Sequence, residues 1–183
     1  WLVECGYDVT IFAWDREHTL DAKSERNGYI IQRIRTRKAT SSASIVRQKK
    51  KFLQSLKGQY DLIIYNDSDS ITTKNLDSRF SILDLHDIAH AWPIMQKTSL
   101  LRRFVSSRMK QTLRKNGSRF DGFLTSSPGL SNYFDREFQF KSTVVLNVRD
   151  ASPLPRPMTK TIGFFGRIRD FGAMVSLVEC SQR

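Results

Sequence analysis

Cysteine, proline and acidic side chains are all scarce in this 183-residue sequence. The two cysteines, Cys5 and Cys180, stand near opposite ends. That excludes a disulfide framework or a cysteine metal cluster and predicts a reducing, cytoplasmic setting. No apolar run approaches the roughly 18 residues of a membrane span. There is no internal repeat and no low-complexity segment. No signal peptide is visible, although a chain that opens on Trp1 leaves the presence of a leader undecided. Three of the five prolines fall in Ser152-Pro-Leu-Pro-Arg-Pro157, which reads as a linker. The hydrophobic fraction of 39% is enough for a packed core and excludes a disordered chain.

The shortage of acids is uneven. Eighteen Asp and Glu stand against 30 Lys and Arg, giving a net charge of +12. No acid occurs from Asn27 to Tyr60, where Arg33, Arg35, Arg37, Lys38, Arg47, Lys49, Lys50, Lys51 and Lys57 lie. None occurs from Met95 to Phe120 either, against Lys97, Arg102, Arg103, Arg108, Lys110, Arg114, Lys115 and Arg119. Two basic blocks predict a basic face with an acidic partner: nucleic acid, an anionic bilayer or an anionic substrate.

Apolar patterning predicts alternating strands and helices. Trp1 to Cys5 reads as a final helical turn closed by Gly6. Strands are expected at 9–14, 29–35, 61–65, 81–85, 122–125 and 143–148, the one at 61–65 buried. Helices are expected at 44–56 and along the Leu101, Val105, Met109, Leu113 repeat to Gly117. A third opens at Ser127-Pro128, with serine as cap and proline in the first turn. Strands separated by helical crossovers predict an α/β fold with a doubly wound, Rossmann-like parallel sheet.

Ligands of such sheets bind beyond the carboxyl ends of the strands. The residues there include Asp15, Arg16, Asn66, Asp67, Ser68, Asp69, His86, Asp87, His90, Ser126, Ser127, Asn147, Arg149 and Asp150. This polar set suits a sugar or phosphate. His86 beside Asp87 is a candidate acid, base or hydrogen-bonding group, with helix capping as its structural alternative. His90 reads as a solvent-facing loop residue. Asp67 and Asp69 read as turn formers rather than metal ligands, and no metal site is expected. Near the end of the chain, Thr161-Ile-Gly-Phe-Phe-Gly-Arg167 ends a strand in Gly166-Arg167, which suits close approach to an anionic ligand.

In their order, Gly6 to Arg16, Tyr60 to Asp67, Leu83-Asp-Leu-His-Asp87, Thr125 to Tyr133, Val144 to Asp150 and Thr161 to Arg169 resemble family-4 glycosyltransferases of the GT-B fold. The resemblance spans nearly the whole chain. It implies an acceptor-side domain at 1–150, a linker at 151–160 and the start of a nucleotide-sugar domain at 161–183. It also implies a first, central strand preceding Trp1, so the chain reads as a fragment truncated at both ends and inactive alone. The implied reaction is sugar transfer from a nucleotide-sugar to a glycan or lipid-linked acceptor. It is retaining and metal-independent, with no cofactor beyond the donor substrate. Carried onto this sequence, His86 and Asp87 become catalytic candidates, Gly166 and Arg167 donor-binding, and Asp67, Ser68 and Asp69 acceptor-side. The lysine that commonly follows the Gly-Arg pair is absent; Asp170-Phe-Gly-Ala173 stands there.

The helix around Ser99 to Lys115 interleaves Leu100, Leu101, Phe104, Val105 and Met109 with cations. Arg102, Arg103, Lys110 and Arg114 are therefore candidates for contact with an anionic membrane surface, a peripheral location on the inner face of the cell membrane. The competing arrangement turns the apolar residues to the core. A nucleic-acid-binding module is the alternative function, but no helix-turn-helix, zinc spacing or RNA-recognition signature accompanies the charge, so nucleic acid is an unlikely partner. An inactive transferase-like domain is a third reading.

Overall fold

The computed structural model describes residues 2–38, 40–68, 70–72, 76–95 and 99–146. Chain contacts divide the protein into units Trp1–Asn147 and Val148–Arg183, and every described residue belongs to the first.

Residues 2–6 form a turn closed by bonds from Gly6 N to the Val3 carbonyl (2.9 Å) and from Tyr7 N to the Leu2 carbonyl (3.1 Å). Gly6 takes φ +85°, the left-handed conformation expected where a helical turn ends. β1 (Thr10–Asp15) follows. β2 (Lys23–Arg26) and β3 (Tyr29–Arg35) make an antiparallel hairpin absent from the sequence expectation. Its two-residue turn has Asn27 at φ 49° and Gly28 at φ 79°. Two positive φ values at Asn-Gly mark a primed hairpin turn, whose twist matches that of the flanking strands.

α1 (Ser42–Ser55) starts at Ser41, whose hydroxyl accepts from Ser44 N while Ser44 reciprocates. Its Phe52 and Leu53, with Leu56 just beyond, form a small core against Phe12, Trp14 and Ile34 of the first sheet. β4 (Gly58–Asn66) and β5 (Leu76–Leu85) run parallel. α2 (Trp92–Met95) is a single turn before α3 (Leu100–Gly117), which Ser99 caps by accepting from Arg102 N. β6 (Gly122–Thr125), α4 (Pro128–Phe138) and β7 (Ser142–Val144) complete the unit.

The strands form two sheets, one ordered β1-β3-β2 and one all-parallel, ordered β4-β5-β6-β7. One continuous sheet was expected. The break falls between β1 and β4, each paired on one side only among the described residues. An edge Phe12–Tyr60 ring contact at 6.0 Å reaches from β1 to β4. The expectation that 61–65 is a buried strand is also corrected. β4 buries Tyr65 on one face, but leaves Leu62 and Ile64 exposed (37% and 44%) on the other, which also carries exposed Phe80 of β5.

The main core lies on the second sheet. Leu83, Leu85, Leu113 and Phe134 are almost fully enclosed, with Tyr65, Ile71, Phe138 and Phe140 around them. Rings interlock through it: Phe123 stacks on Phe140 at 4.2 Å, and Phe138 lies 5.4 Å from the same ring. Gly117 ends α3 where any side chain would strike Phe140. These contacts fix the strands whose carboxyl ends carry the candidate site.

Candidate functional site

The carboxyl ends of β4, β5 and β6 are adjacent, because Asn66 registers with Asp84 and Leu85 with Thr125. Asn66, Asp67, Ser68, His86, Asp87, Ser126 and Ser127 of the polar crest therefore lie at one end of the parallel sheet, whereas Asp15 and Arg16 follow β1 in the other sheet. Asp67 turns sharply out of β4 at φ 64°. Its N–H donates to the Asp84 carbonyl at 2.8 Å, tying the two strand tips together. Its own carbonyl accepts from Ser70 N (3.1 Å) and Ser70 Oγ (2.6 Å). Asp tolerates this left-handed conformation better than most residues, since its short polar side chain can bond locally. The turn sets Asp67 and Ser68, both half-buried, at the crest.

His86 is the first residue beyond β5. Its Nε2 lies 2.8 Å from Oδ2 of Asp84. Residues two apart on a strand point to one side, so Asp84 reaches the imidazole from the strand itself. A carboxylate on one ring nitrogen fixes the ring's orientation and leaves the other nitrogen for a ligand. Asp87, the sequence candidate beside it, is exposed. Asp84 was missed as a site residue, though strand alternation at 84 and 86 carried the signal.

His90 is buried rather than solvent-facing, at 7% exposure. Its Nε2 shares a 2.8 Å hydrogen bond with the Tyr133 hydroxyl, and Phe138 meets it edge-on at 5.7 Å. Burial, reinforced by the Lys110 charge and opposed by Glu137, pushes its pKa below the usual histidine value. Burial also raises Tyr133. His90 thus fastens the segment after β5 to α4 as a neutral group. At the β6 tip, Thr125 is 1% exposed and Ser127 is occupied as the α4 cap, accepting from Leu130 N at 3.2 Å. At the β1 tip, Asp15 is buried. Desolvation there is outweighed by hydrogen bonds from Arg35 (3.0 Å) and His18 N (2.8 Å), which hold its carboxyl below the usual range.

The candidate cations on α3 separate into two places. Lys110 pairs with Glu137 at 2.6 Å, and Arg114 donates to the Glu137 carbonyl at 3.0 Å. Both cations lie over the Phe138 ring. Arg102 and Arg103 are exposed at the opposite end of the helix. Asp69, Gly166 and Arg167 lie outside the described residues, as do Lys97, Asn147, Arg149 and Asp150. Among the described residues, no group of three or more His, Cys, Asp or Glu is placed to hold a metal ion. No described helix is long and apolar enough to cross a membrane.

Among the described residues, two surface concavities adjoin the parallel sheet. The larger, about 470 Å³, is lined by Gln59–Asp61 and Asp77–Arg79. It sits at the amino ends of β4 and β5, away from the crest, and none of the candidate residues lines it. The smaller, about 290 Å³, runs from Ser68 and Ile71 to Phe104, Val105, Arg108, Met109 and Thr112. It joins the crest to α3 and is the better placed for a ligand. No protein-family model matches the sequence, and a search of curated proteins finds no match either.

Proposed function

We propose that this chain carries the acceptor-side, Rossmann-like part of a GT-B glycosyltransferase that moves a sugar from a nucleotide-sugar to a glycan or lipid-linked acceptor. The observation that carries the reading is the Asp84–His86 pair at the carboxyl end of an all-parallel sheet, beside the strained Asp67 turn. In such sheets this is where ligands bind. His86, oriented by Asp84, hydrogen-bonds the donor sugar or its phosphate. Asp67 and Ser68 offer acceptors and a donor to sugar hydroxyls. Arg167 takes the diphosphate from the nucleotide side, with Gly166 allowing close approach. Asp84 is a positioning residue in this scheme.

The test, made on the full-length protein rather than on this chain alone, is hydrolysis and transfer with a panel of UDP-, GDP- and ADP-sugars. His86→Ala is expected to lower kcat at least ~100-fold, within the range for losing a positioned acid–base group. Asp84→Asn should lower kcat by about tenfold with little change in KM, as the imidazole loses the group that orients it. A donor turned over at equal rates by wild type and His86→Ala removes this site from the reaction. No donor bound or hydrolysed at all removes the transferase reading.

A further inference from the structure

Beyond β5 the chain carries His86 and then passes through one tight turn, Ala89–Ala91, in which Ala91 N donates to the Ile88 carbonyl at 2.8 Å. Asp87 is exposed, whereas Ala89 and His90 are buried. His90 reaches across to α4. Its Nε2 and the Tyr133 hydroxyl share a 2.8 Å hydrogen bond, and the two rings stack with centroids 6.0 Å apart. The far side of this bond is itself fixed. α4 starts at the Ser127 cap directly after β6, and Leu85 at the end of β5 registers with Thr125 at the end of β6. Glu137 ties α4 to α3 through Lys110 at 2.6 Å and Arg114 at 3.0 Å. A closed circuit therefore runs from the β5 tip through His86 and His90 to Tyr133, along α4, and back to the β6 tip.

The pair is polar in apolar surroundings. Phe138 meets both rings, and Phe134 meets that of Tyr133. Two apolar side chains of the same shape could fill such a site at nearly equal stability, because a buried neutral hydrogen bond contributes little net. What the polar pair adds is direction. A hydrogen bond sets the distance and angle between its groups, and a satisfied buried pair selects one arrangement among several that pack equally well. Direction matters here because of what lies at the start of the turn. Asp84 holds the His86 ring from the strand, but the backbone beyond His86 is placed by the turn. A turn that slid along α4 would carry the imidazole with it. A displacement of about 1 Å at a reacting group can lower a rate by ~100-fold.

We propose that His90 and Tyr133 are a positioning pair for His86: their hydrogen bond seats the turn after β5 on α4 and so fixes where the His86 ring stands above the strand tips. Neither residue touches the reacting groups in this scheme; both act through His86. The effect on turnover rests on the transfer reading given above. The effect on the placement of His86 does not, and it is measured without a donor.

The test compares Tyr133→Phe, His90→Leu and His90→Gln in the full-length protein. Tyr133→Phe removes the hydroxyl and keeps the ring, and far-UV circular dichroism should match wild type. His90→Gln sets an amide near the Nε2 position and keeps a partner for Tyr133. The first readout is the nuclear magnetic resonance spectrum of the imidazoles, with the His86 signals assigned by their loss in His86→Gln. The ring neighbours of Tyr133 are His90, Phe134 and Phe138, so a change at its hydroxyl reaches His86 through the turn. The His86 signals should move in Tyr133→Phe and His90→Leu, and return towards wild type in His90→Gln. The second readout is donor turnover. In Tyr133→Phe and His90→Leu, kcat should fall about five- to tenfold at unchanged KM, with His90→Gln within about twofold of wild type. Two results overturn the proposal. One is His86 signals unchanged in both Tyr133→Phe and His90→Leu, which reduces the pair to core packing. The other is moved signals with kcat unchanged, which separates the turn from the reaction. If wild type turns over no donor, the transfer reading falls, and the His86 signals alone decide whether the pair positions that ring.

Discussion

Replacing Gly117 with alanine tests the packing that holds α3 to the aromatic core. A Cβ at this position would lie 2.0 Å from Cζ and 2.4 Å from Cε1 of Phe140. Carbon atoms settle no closer than roughly 3.5 Å, so the ring would have to retreat by about 1.5 Å. Phe140 has little room to do so: it is 7% exposed, Phe123 stacks on it at 4.2 Å, and Phe138 lies 5.4 Å away. Overpacking of this kind costs about 1–3 kcal/mol. Alanine recovers at most about 1 kcal/mol through its better helix propensity. Gly117→Ala should therefore destabilise the protein by about 1–2 kcal/mol in urea unfolding, read as a lower midpoint at unchanged slope. Phe140→Leu removes the atoms that clash. In that background Gly117→Ala should cost less, with a coupling of at least about 0.5 kcal/mol. Equal penalties in both backgrounds, or an alanine variant as stable as wild type, would refute the packing argument.

Two further outcomes follow from the same structure. Burial keeps His90 neutral in the folded state, so below about pH 6.5 the unfolded chain binds the extra proton and stability falls, by at most about 1.4 kcal/mol per pH unit. The groups facing His90 are Tyr133, Lys110 and Glu137, and the lowered carboxyls of Asp15, Asp121 and Glu137 titrate further into acid. His90→Gln should flatten urea midpoints compared between pH 7.5 and 5.5, roughly the histidine titration window; an unchanged slope would exclude His90 as the cause. Gly28→Ala places a side chain at φ 79° and 2.7 Å from Val3 Cγ1, so it should cost about 1–2 kcal/mol by the same assay. A neutral effect would mean that the Asn27-Gly28 turn relaxes into another form.

Local signals in the sequence located most elements. Gly28 and Gly122 mark the starts of strands that begin within one residue of them, and Ser127-Pro128 opens α4 as capping chemistry requires. The β2–β3 hairpin was not read from the sequence. Asn27-Gly28 is the strongest short hairpin signal, but the preceding Lys23-Ser-Glu-Arg26 is so polar that its pattern hides a strand. The division into two sheets was not legible, because Leu62-Ile-Ile64 reads alike in a central strand and an open edge. At the site, strand-tip placement put Asp67, Ser68 and His86 just beyond β4 and β5, where they stand. It gave His90 to solvent because the burying groups, Tyr133 and Phe138, lie more than forty residues away in sequence.

The α3 repeat shows why periodicity alone cannot assign such a face. A four-residue spacing fixes which residues share an azimuth, but the neighbouring elements decide whether that azimuth meets protein or solvent. At Leu113 the neighbours are the aromatic core; at Leu101 and Phe104 nothing described covers the side chains. The cations divide in the same way. Lys110 and Arg114 lie over Phe138 and bind Glu137, so they spend much of their interaction holding α3 to α4. Arg103 is exposed near the other end of α3. Changes at Lys110 or Arg114 should therefore lower the urea midpoint, and Arg103→Gln should leave stability within about 0.5 kcal/mol. An equal loss at both places would refute this division.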